Sequence, residues 1–390
     1  MSEMRADVVV VGLGAVGAAA LYQLAKRGVS AVGIDRFAPP HTMGSSHGET
    51  RITRQAVGEG RSYVPFVLRS HEIWRELEAE TGEALFAACG AVVIGPGSGD
   101  TSHHGHKDFV GRSADAARAF AVPHEMLDGA EVARRFPYFV GLRGDEIAYY
   151  EPGGGYVRPE RCVAAQLRRA GELGAVIRTG ETVRAIRQDG RGVAVETDRG
   201  TVRAGRAICA AGAWNAALLG APFDRLLKVS RQVLHWFALE PAAAMPENGP
   251  VFIWMHGRGD SDYLYGFPRL AGEGSVKVAT EQYASVTSPE TVDRQVSPAE
   301  SAEMFARHVR GRIAGATGAV ERTAACLYTV TPDRGFIIDQ HPDMDRVTAV
   351  SACSGHGFKH SAGIGEAVAV LAAMGRSPVD LAPFRVSRFG

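Results

Sequence analysis

The chain has 390 residues, 45% of them hydrophobic, and its 43 basic side chains balance 43 acidic ones. A formal charge of zero leaves no basic surplus to neutralise phosphates, which argues against nucleic acid and anionic membrane as partners, while the length suffices for two packed domains. No run reaches the roughly 18 apolar residues of a membrane span, and five scattered cysteines (Cys89, Cys162, Cys209, Cys326, Cys353) form no disulfide or metal-binding pattern, so a cytoplasmic protein is expected.

Residues 7–35 read DVVVVGLGAVGAAALYQLAKRGVSAVGID. The apolar start resembles a signal-peptide core, but three glycines interrupt it, and a strand followed by a helix explains it better. A buried strand is followed by Gly12-x-Gly14-x-x-Gly17, a helix carrying Leu21 and Leu24 that stops at Gly28, and a second strand closed by Asp35. Gly12 permits the tight turn, Gly14 lets the backbone approach a pyrophosphate, and Gly17 lets the helix sit close on the strand. The helix start favours an anion, and Asp35 is spaced to accept hydrogen bonds from ribose hydroxyls. This predicts dinucleotide binding without choosing between NAD and FAD.

The following stretch, RFAPPHTMGSSHGETRITRQAVGEGRSYVPF, has no helical or strand period through residue 48, as in either a disordered linker or a loop that lies on a ligand. A helix starting near Thr50 would place Arg51 and Arg54 on one face, where they repel unless an anion or a shared acid lies between them. SHHGHKD (His103, His104, His106) lacks helical spacing and a nearby cysteine, which favours a surface loop over a metal site.

A helix ending near Gly174 precedes short strands and a buried strand at residues 207–210 that runs into Gly212-Ala213-Trp214. Such a second small-residue turn beside a parallel sheet suits a flavoprotein with a split dinucleotide domain better than a plain NAD dehydrogenase. YLYGFPRLAGEGSVKVATEQYASV predicts antiparallel strands carrying Lys277. In RTAACLYTVTPDRGF the thiol of Cys326 is either core filler or bonded to something. Near the end, a strand, the loop Ser354-Gly355-His356-Gly357-Phe358-Lys359 and an apolar helix over residues 361–374 repeat the logic of the beginning.

The segments together predict an α/β plus α+β chain. A discontinuous Rossmann-like nucleotide domain is expected over residues 1–85, 150–220 and 320–390, with an inserted antiparallel-sheet substrate domain over 86–149 and 221–319.

DVVVVGLGAVG, FAPPHTMGSSHGETRITRQAVGEGRSYVPF, GAW, RQV, YGFP, CLYTVTPDRGFIID and SGHGFKHSAGIGE occur in an order that covers nearly the whole chain. In these motifs the sequence resembles the monomeric sarcosine oxidase and N-methyltryptophan oxidase family, amine oxidases of the D-amino-acid oxidase type. The resemblance implies FAD, attached through a thioether from Cys326 to the flavin 8α-methyl. It also implies flavin contacts from Gly12, Gly14, Gly17, Asp35, Arg36, Ser45, Gly212, Trp214, Gly355, Gly357, Phe358 and Lys359. Arg54 and Lys359 would hold the substrate carboxylate. Arg51 and His47 would lie near the flavin ring, Tyr265 and Tyr328 would flank the substrate, and Lys277 would activate dioxygen.

The implied reaction oxidises a secondary amine to an imine that hydrolyses, with dioxygen reduced to hydrogen peroxide by a monomeric enzyme. An amine dehydrogenase using another electron carrier and a non-catalytic flavoprotein are the alternatives. Three departures bear on the substrate. Glu281 replaces a histidine of sarcosine oxidases, bulky Trp254 and Met255 stand where small substrates need little, and one extra residue in RLAGEGSVK precedes Lys277. A bulkier N-substituted glycine, a dicarboxylate, a cyclic imino acid or a fructosyl amine thus joins sarcosine-like acids as a candidate. Arg258 and Arg269 read as surface residues before acceptors of a second carboxylate.

Overall fold

A computed structural model describes residues 4–190, 192–243 and 245–390. The consecutive valines of β1 (Met4–Val11) are buried on both faces, as a parallel strand covered on each side requires. On one side β1 pairs in parallel with β2 (Ala31–Ile34), and on the other with the strand Gly200–Cys209. Helix α1 (Ala15–Lys26) links β1 to β2 and buries its alanine-rich face against the helix Ser361–Met374. That contact is close because Gly365 has no side chain: a Cβ there would lie 2.3 Å from the Ala19 Cβ.

Gly17 is confined more tightly still, since a Cβ on it would fall 1.7 Å from the Gly12 carbonyl oxygen. Neither backbone can yield without moving helix from strand. Gly17→Ala should therefore lower stability by about 1–3 kcal/mol or more, the usual cost of overpacking, read as a drop in thermal midpoint with loss of bound flavin.

The first sheet has eight strands, with the path Val176–Arg178, β2, β1, Gly200–Cys209, Gly192–Thr197, Val183–Asp189. Met344–Ser351 also pairs in parallel with Gly200–Cys209, so the segments before Gly12, before Gly212 and before Gly355 end side by side. Three loops thereby converge at the carboxyl ends of neighbouring parallel strands, where open α/β sheets bind ligands.

A second, nine-stranded and mainly antiparallel sheet contains Ala91–Pro96, Glu146–Glu151, Lys228–Leu239, Val251–Met255, Tyr263–Gly266 and Ser275–Ala279. Its longest strand, Ala316–Val330, pairs with Lys228–Leu239. Residues 320–330, expected in the nucleotide domain, thus belong to this sheet, because the alternating run AACLYTV matches the Lys228–Leu239 edge.

The expected helix at Thr50 is instead a short strand, β3 (Arg51–Thr53), antiparallel to Gly155–Val157. β-Branched Ile52 and Thr53 favour this pairing, and strand alternation separates the two arginines. The histidine segment also departs from expectation. Ser102–His103 pairs with His106–Lys107 around Gly105, and this hairpin turns inward, leaving His103 3% and His104 6% exposed. Both rings pack against Phe109, and His103 also against Tyr263, so apolar neighbours recruited a segment whose polarity suggested the surface. No helix among the described residues is long and apolar enough to cross a membrane.

Candidate active site

The loop convergence encloses a cavity of about 350 Å³. Gly12, Gly14, Asp35, Arg36, Ser45, Arg51, Gly212, Trp214, Tyr328, Gly355, Gly357 and Phe358 all stand on its wall. Gly12 has φ +85°, and a Cβ there would meet Ala211 Cα at 2.6 Å, so glycine is required at this crossing. Asp35 Oδ2 accepts the Leu13 N–H at 2.7 Å and Oδ1 the Phe37 N–H at 2.8 Å. These bonds pin the turn and leave carboxylate lone pairs for a ligand hydroxyl. Sequence reasoning missed Ser46, whose Oγ accepts the Ala15 N–H at the start of α1 (3.2 Å), and the wall residues His41 and Cys353.

The three cavity-facing glycine turns, the helix start and the acid form a cradle that fits an extended dinucleotide such as FAD. Gly17 is beneath this wall as a packing residue. Cys326 is 1% exposed, packed with Leu234, Trp236 and Ala279, and shares a strand face with the wall residue Tyr328. Burial raises its thiol pKa, opposed by the nearby charges of Arg51 and Lys277.

Arg51 donates to the Thr50 and Ser45 carbonyls, at 2.9 Å each, and brings its charge to the cavity wall. His47 does not share that role. Burial, then Arg51, pushes its pKa down to about 3, so the imidazole is neutral. Tyr265 is half-buried beside Tyr328, with Arg51 and Cys326 nearby.

Beyond the cavity lies a buried polar chamber. Lys359 Nζ donates to Glu59 Oε1 at 2.8 Å and to the His356 carbonyl at 3.0 Å, while Arg54 Nη2 approaches Glu59 Oε2 at 3.7 Å. The shared acid is therefore Glu59, and it joins Arg54 to Lys359 rather than to Arg51. Burial alone would raise the Glu59 pKa, but Lys359 and Arg54 hold it well below the usual carboxylate range. Within the Arg54, Lys359 and Glu59 cluster, two cations and one anion leave one positive charge in excess. Glu59 Oε2 and Arg54 Nε are both buried without a hydrogen-bond partner, so the chamber retains polar capacity.

Glu281 closes the other side of this chamber. Its Oε2 accepts the hydroxyls of Tyr263 and Tyr283, each at 2.9 Å, and stands 3.3 Å from His104 Nδ1. Ligand atoms of His103, His104 and Glu281 lie within 4.8 Å of one another.

Lys277 sits behind Arg51, where its ammonium donates to Gly48 O (2.6 Å), Thr50 O (2.7 Å) and Thr50 Oγ1 (3.0 Å). Trp254 faces away from the chamber. Strand alternation turns its indole toward Phe139, with Nε1 donating to Glu146 at 2.8 Å. Met255 packs on Gly95 and Thr101. Neither bulky residue is placed to bind substrate, because the apolar run of this strand supplies two different cores. Arg258 is exposed, and Arg269 pairs with Glu247 at 3.5 Å.

A family model described as FAD dependent oxidoreductase (DAO) matches residues 7–371. Monomeric sarcosine oxidase of Streptomyces avermitilis is 39% identical over 384 residues, 96% of each chain. N-methyl-L-tryptophan oxidase of Yersinia pestis is 35% identical over 391 residues, 99% of this chain and 100% of that one. Among solved structures, the open form of NikD, an unusual amino acid oxidase of nikkomycin biosynthesis, superposes with TM-score 0.81. It is 24% identical and covers 98% of this chain and 97% of its own.

Proposed function

The chain belongs to the DAO family of FAD dependent oxidoreductases, and from that premise we propose that it oxidises an N-methyl or otherwise N-substituted amino acid with dioxygen. Amine, dioxygen and water would yield a carbonyl compound, the shortened amine and hydrogen peroxide. Bound FAD supplies the two-electron acceptor. The protein's own part is to bind, orient and exclude water.

The observation that carries this reading is the buried charge excess of Arg54, Lys359 and Glu59 beside the dinucleotide cradle. One carboxylate neutralises it, and a carboxylate fixed there directs the rest of an amino acid toward Tyr265, Tyr328 and the cavity. Arg51 supplies positive charge at the cavity wall where the reduced cofactor gains negative charge.

Oxygen consumption and peroxide formation should be measured with sarcosine, other N-methyl amino acids, cyclic imino acids, N-carboxymethyl diacids and fructosyl amines. Stoichiometric peroxide with at least one of them is expected. Imine formation without oxygen uptake would instead identify a dehydrogenase, and no turnover with any of them would overturn the reading.

The cofactor link is part of the same proposal. Cys326 shares a strand face with Tyr328 on the wall; burial raises its thiol pKa, and Arg51 and Lys277 nearby oppose that rise. Acid-precipitated protein should stay yellow. Cys326→Ala should release its flavin under that treatment, whereas Cys353→Ala, at the other thiol near the cavity, should retain it. Bleaching of the native protein would end the covalent assignment.

A further inference from the structure

An N-substituted amino acid, the substrate class proposed above, carries its amine as an ammonium near neutral pH, since aliphatic amines titrate at roughly 8–10. The ammonium has no lone pair to assist oxidation at the neighbouring carbon. A proton must leave before electrons do, and the chamber offers few groups that can take it.

Arg54 and Lys359 are donors. His103 and His356 are pushed down to about 3 and about 4, chiefly by burial, which makes them weak bases. Glu59 is committed to its two cations. Glu281 differs in both geometry and environment. Its Oε2 is anchored by two tyrosine hydroxyls, while Oε1 lies toward Gly355, where an added Cβ would be 2.6 Å from that oxygen and 3.0 Å from the Tyr328 ring. Gly355 and Tyr328 both line the cavity. One oxygen is fixed and the other stands at the junction of cavity and carboxylate chamber.

We propose that Glu281 is the base that takes the proton from the substrate ammonium. An N–H bond of the bound ammonium breaks, an O–H bond forms on Glu281, and the electron pair stays on nitrogen as the lone pair the oxidation requires. No electrons leave the substrate in this step.

The groups facing Glu281 are consistent with it. Burial raises its pKa to about 7, the Tyr283 and Tyr263 hydroxyls oppose that rise, Glu59 adds to it and Arg334 subtracts. His104 stands beside it as a neutral ring, its pKa pushed well below the usual value by burial first and then by the neighbouring His103 and His356. A base near 7 is ionised at slightly alkaline pH and still strong enough to share the proton. The sign follows directly. Glu281 accepts above about pH 7 and loses that capacity as pH falls through it.

Glu281→Gln keeps the shape and can still accept from both tyrosines, so flavin content should not change. Stopped-flow reduction without oxygen, using the best amine from the substrate panel, gives the apparent Kd at each pH. Native protein should hold a nearly constant Kd between about pH 7.5 and 9, because it binds the ammonium and moves the proton internally. E281Q must select the free amine, so its Kd should rise about tenfold per pH unit lowered. A pH indicator in weak buffer should show close to one proton released per site on binding to E281Q at pH 8.5, and close to none for native protein. Glu281→Asp should restore the native proton count.

Parallel pH profiles and equal proton counts, with turnover intact, would overturn Glu281 as the base and leave the oxidase reading standing. Absence of turnover by native protein with every amine would overturn that reading itself. If E281Q loses its flavin, the native profile alone decides. A native Kd that rises tenfold per unit below pH 9 overturns the proposal, and a flat one upholds it.

Discussion

Arg54→Ala should raise the apparent Kd for the amino acid substrate about 10- to 150-fold, with little loss of flavin. A charge-assisted hydrogen bond contributes roughly 1.5–3 kcal/mol, and each 1.4 kcal/mol is tenfold in affinity. Arg54 is 1% exposed, and its Nε has no partner, so its desolvation has already been met in the folded protein, and a carboxylate gains nearly the whole bond. Lys359→Met should have a comparable effect through loss of a point charge instead of a planar fork. Each substitution also cancels the excess charge of the Arg54, Lys359 and Glu59 cluster, because Glu59 remains ionised against one cation instead of two. Substrate affinity measured by anaerobic titration tests this. Unchanged affinity in both variants would remove the carboxylate assignment, whereas loss in both with reduction at saturation intact places the effect in binding.

The nucleotide half of this site was legible because it is encoded locally. Gly12, Gly14, Gly17 and Asp35 occupy one continuous strand-turn-helix-strand segment, and Gly12 and Gly17, required by close backbone approach, leave a fixed spacing. The helix over residues 361–374 was legible for the same reason, as an apolar run interrupted after its first residue by Glu366 alone and ended by Gly375 in the left-handed region. The substrate chamber is assembled from segments far apart in the chain, and periodicity does not report long-range pairing.

Glu59, only five residues past Arg54, gave no signal by itself, since an acid beside glycines reads as loop surface until Lys359 arrives 300 residues later. His103 and His104 were misread because local polarity was weighed without Phe109 and Tyr263 beside them. The error over Trp254 is of another kind. A strand buried on both faces shows an apolar run with no alternation, so its sequence cannot say which side chains meet the site.

Lys277→Met should slow reoxidation of the reduced flavin on the order of 100-fold or more while leaving anaerobic reduction nearly intact. A turn from Leu270 to Glu273 precedes its strand, in which Lys277 pairs opposite Trp236. Burial lowers its pKa well below the ordinary lysine value, and Arg51 lowers it further. Two carbonyl oxygens and the Thr50 hydroxyl nevertheless lie within 3.0 Å of Nζ, and accepting from all three of its hydrogens they favour the ammonium. As an ammonium it has no hydrogen left to give a ligand. An influence on dioxygen would be exerted as a field, added to that of Arg51 on the cavity wall. A fixed cation in a dry site lowers the barrier to forming anionic superoxide, and deleting one preorganised charge or donor typically costs on the order of 100-fold. Amine oxidation draws on Arg54, Lys359 and Glu281 in a different chamber and should feel little. The same three bonds also tie the loop at Gly48 and Thr50 to the second sheet, which gives a distinct structural outcome: if Lys277 is only a strap, K277M will lose flavin or slow both half-reactions together. Separate stopped-flow traces for reduction and reoxidation tell these apart, and a flavin-replete variant that reoxidises at the native rate would show that the oxygen-activating charge is Arg51 or lies elsewhere.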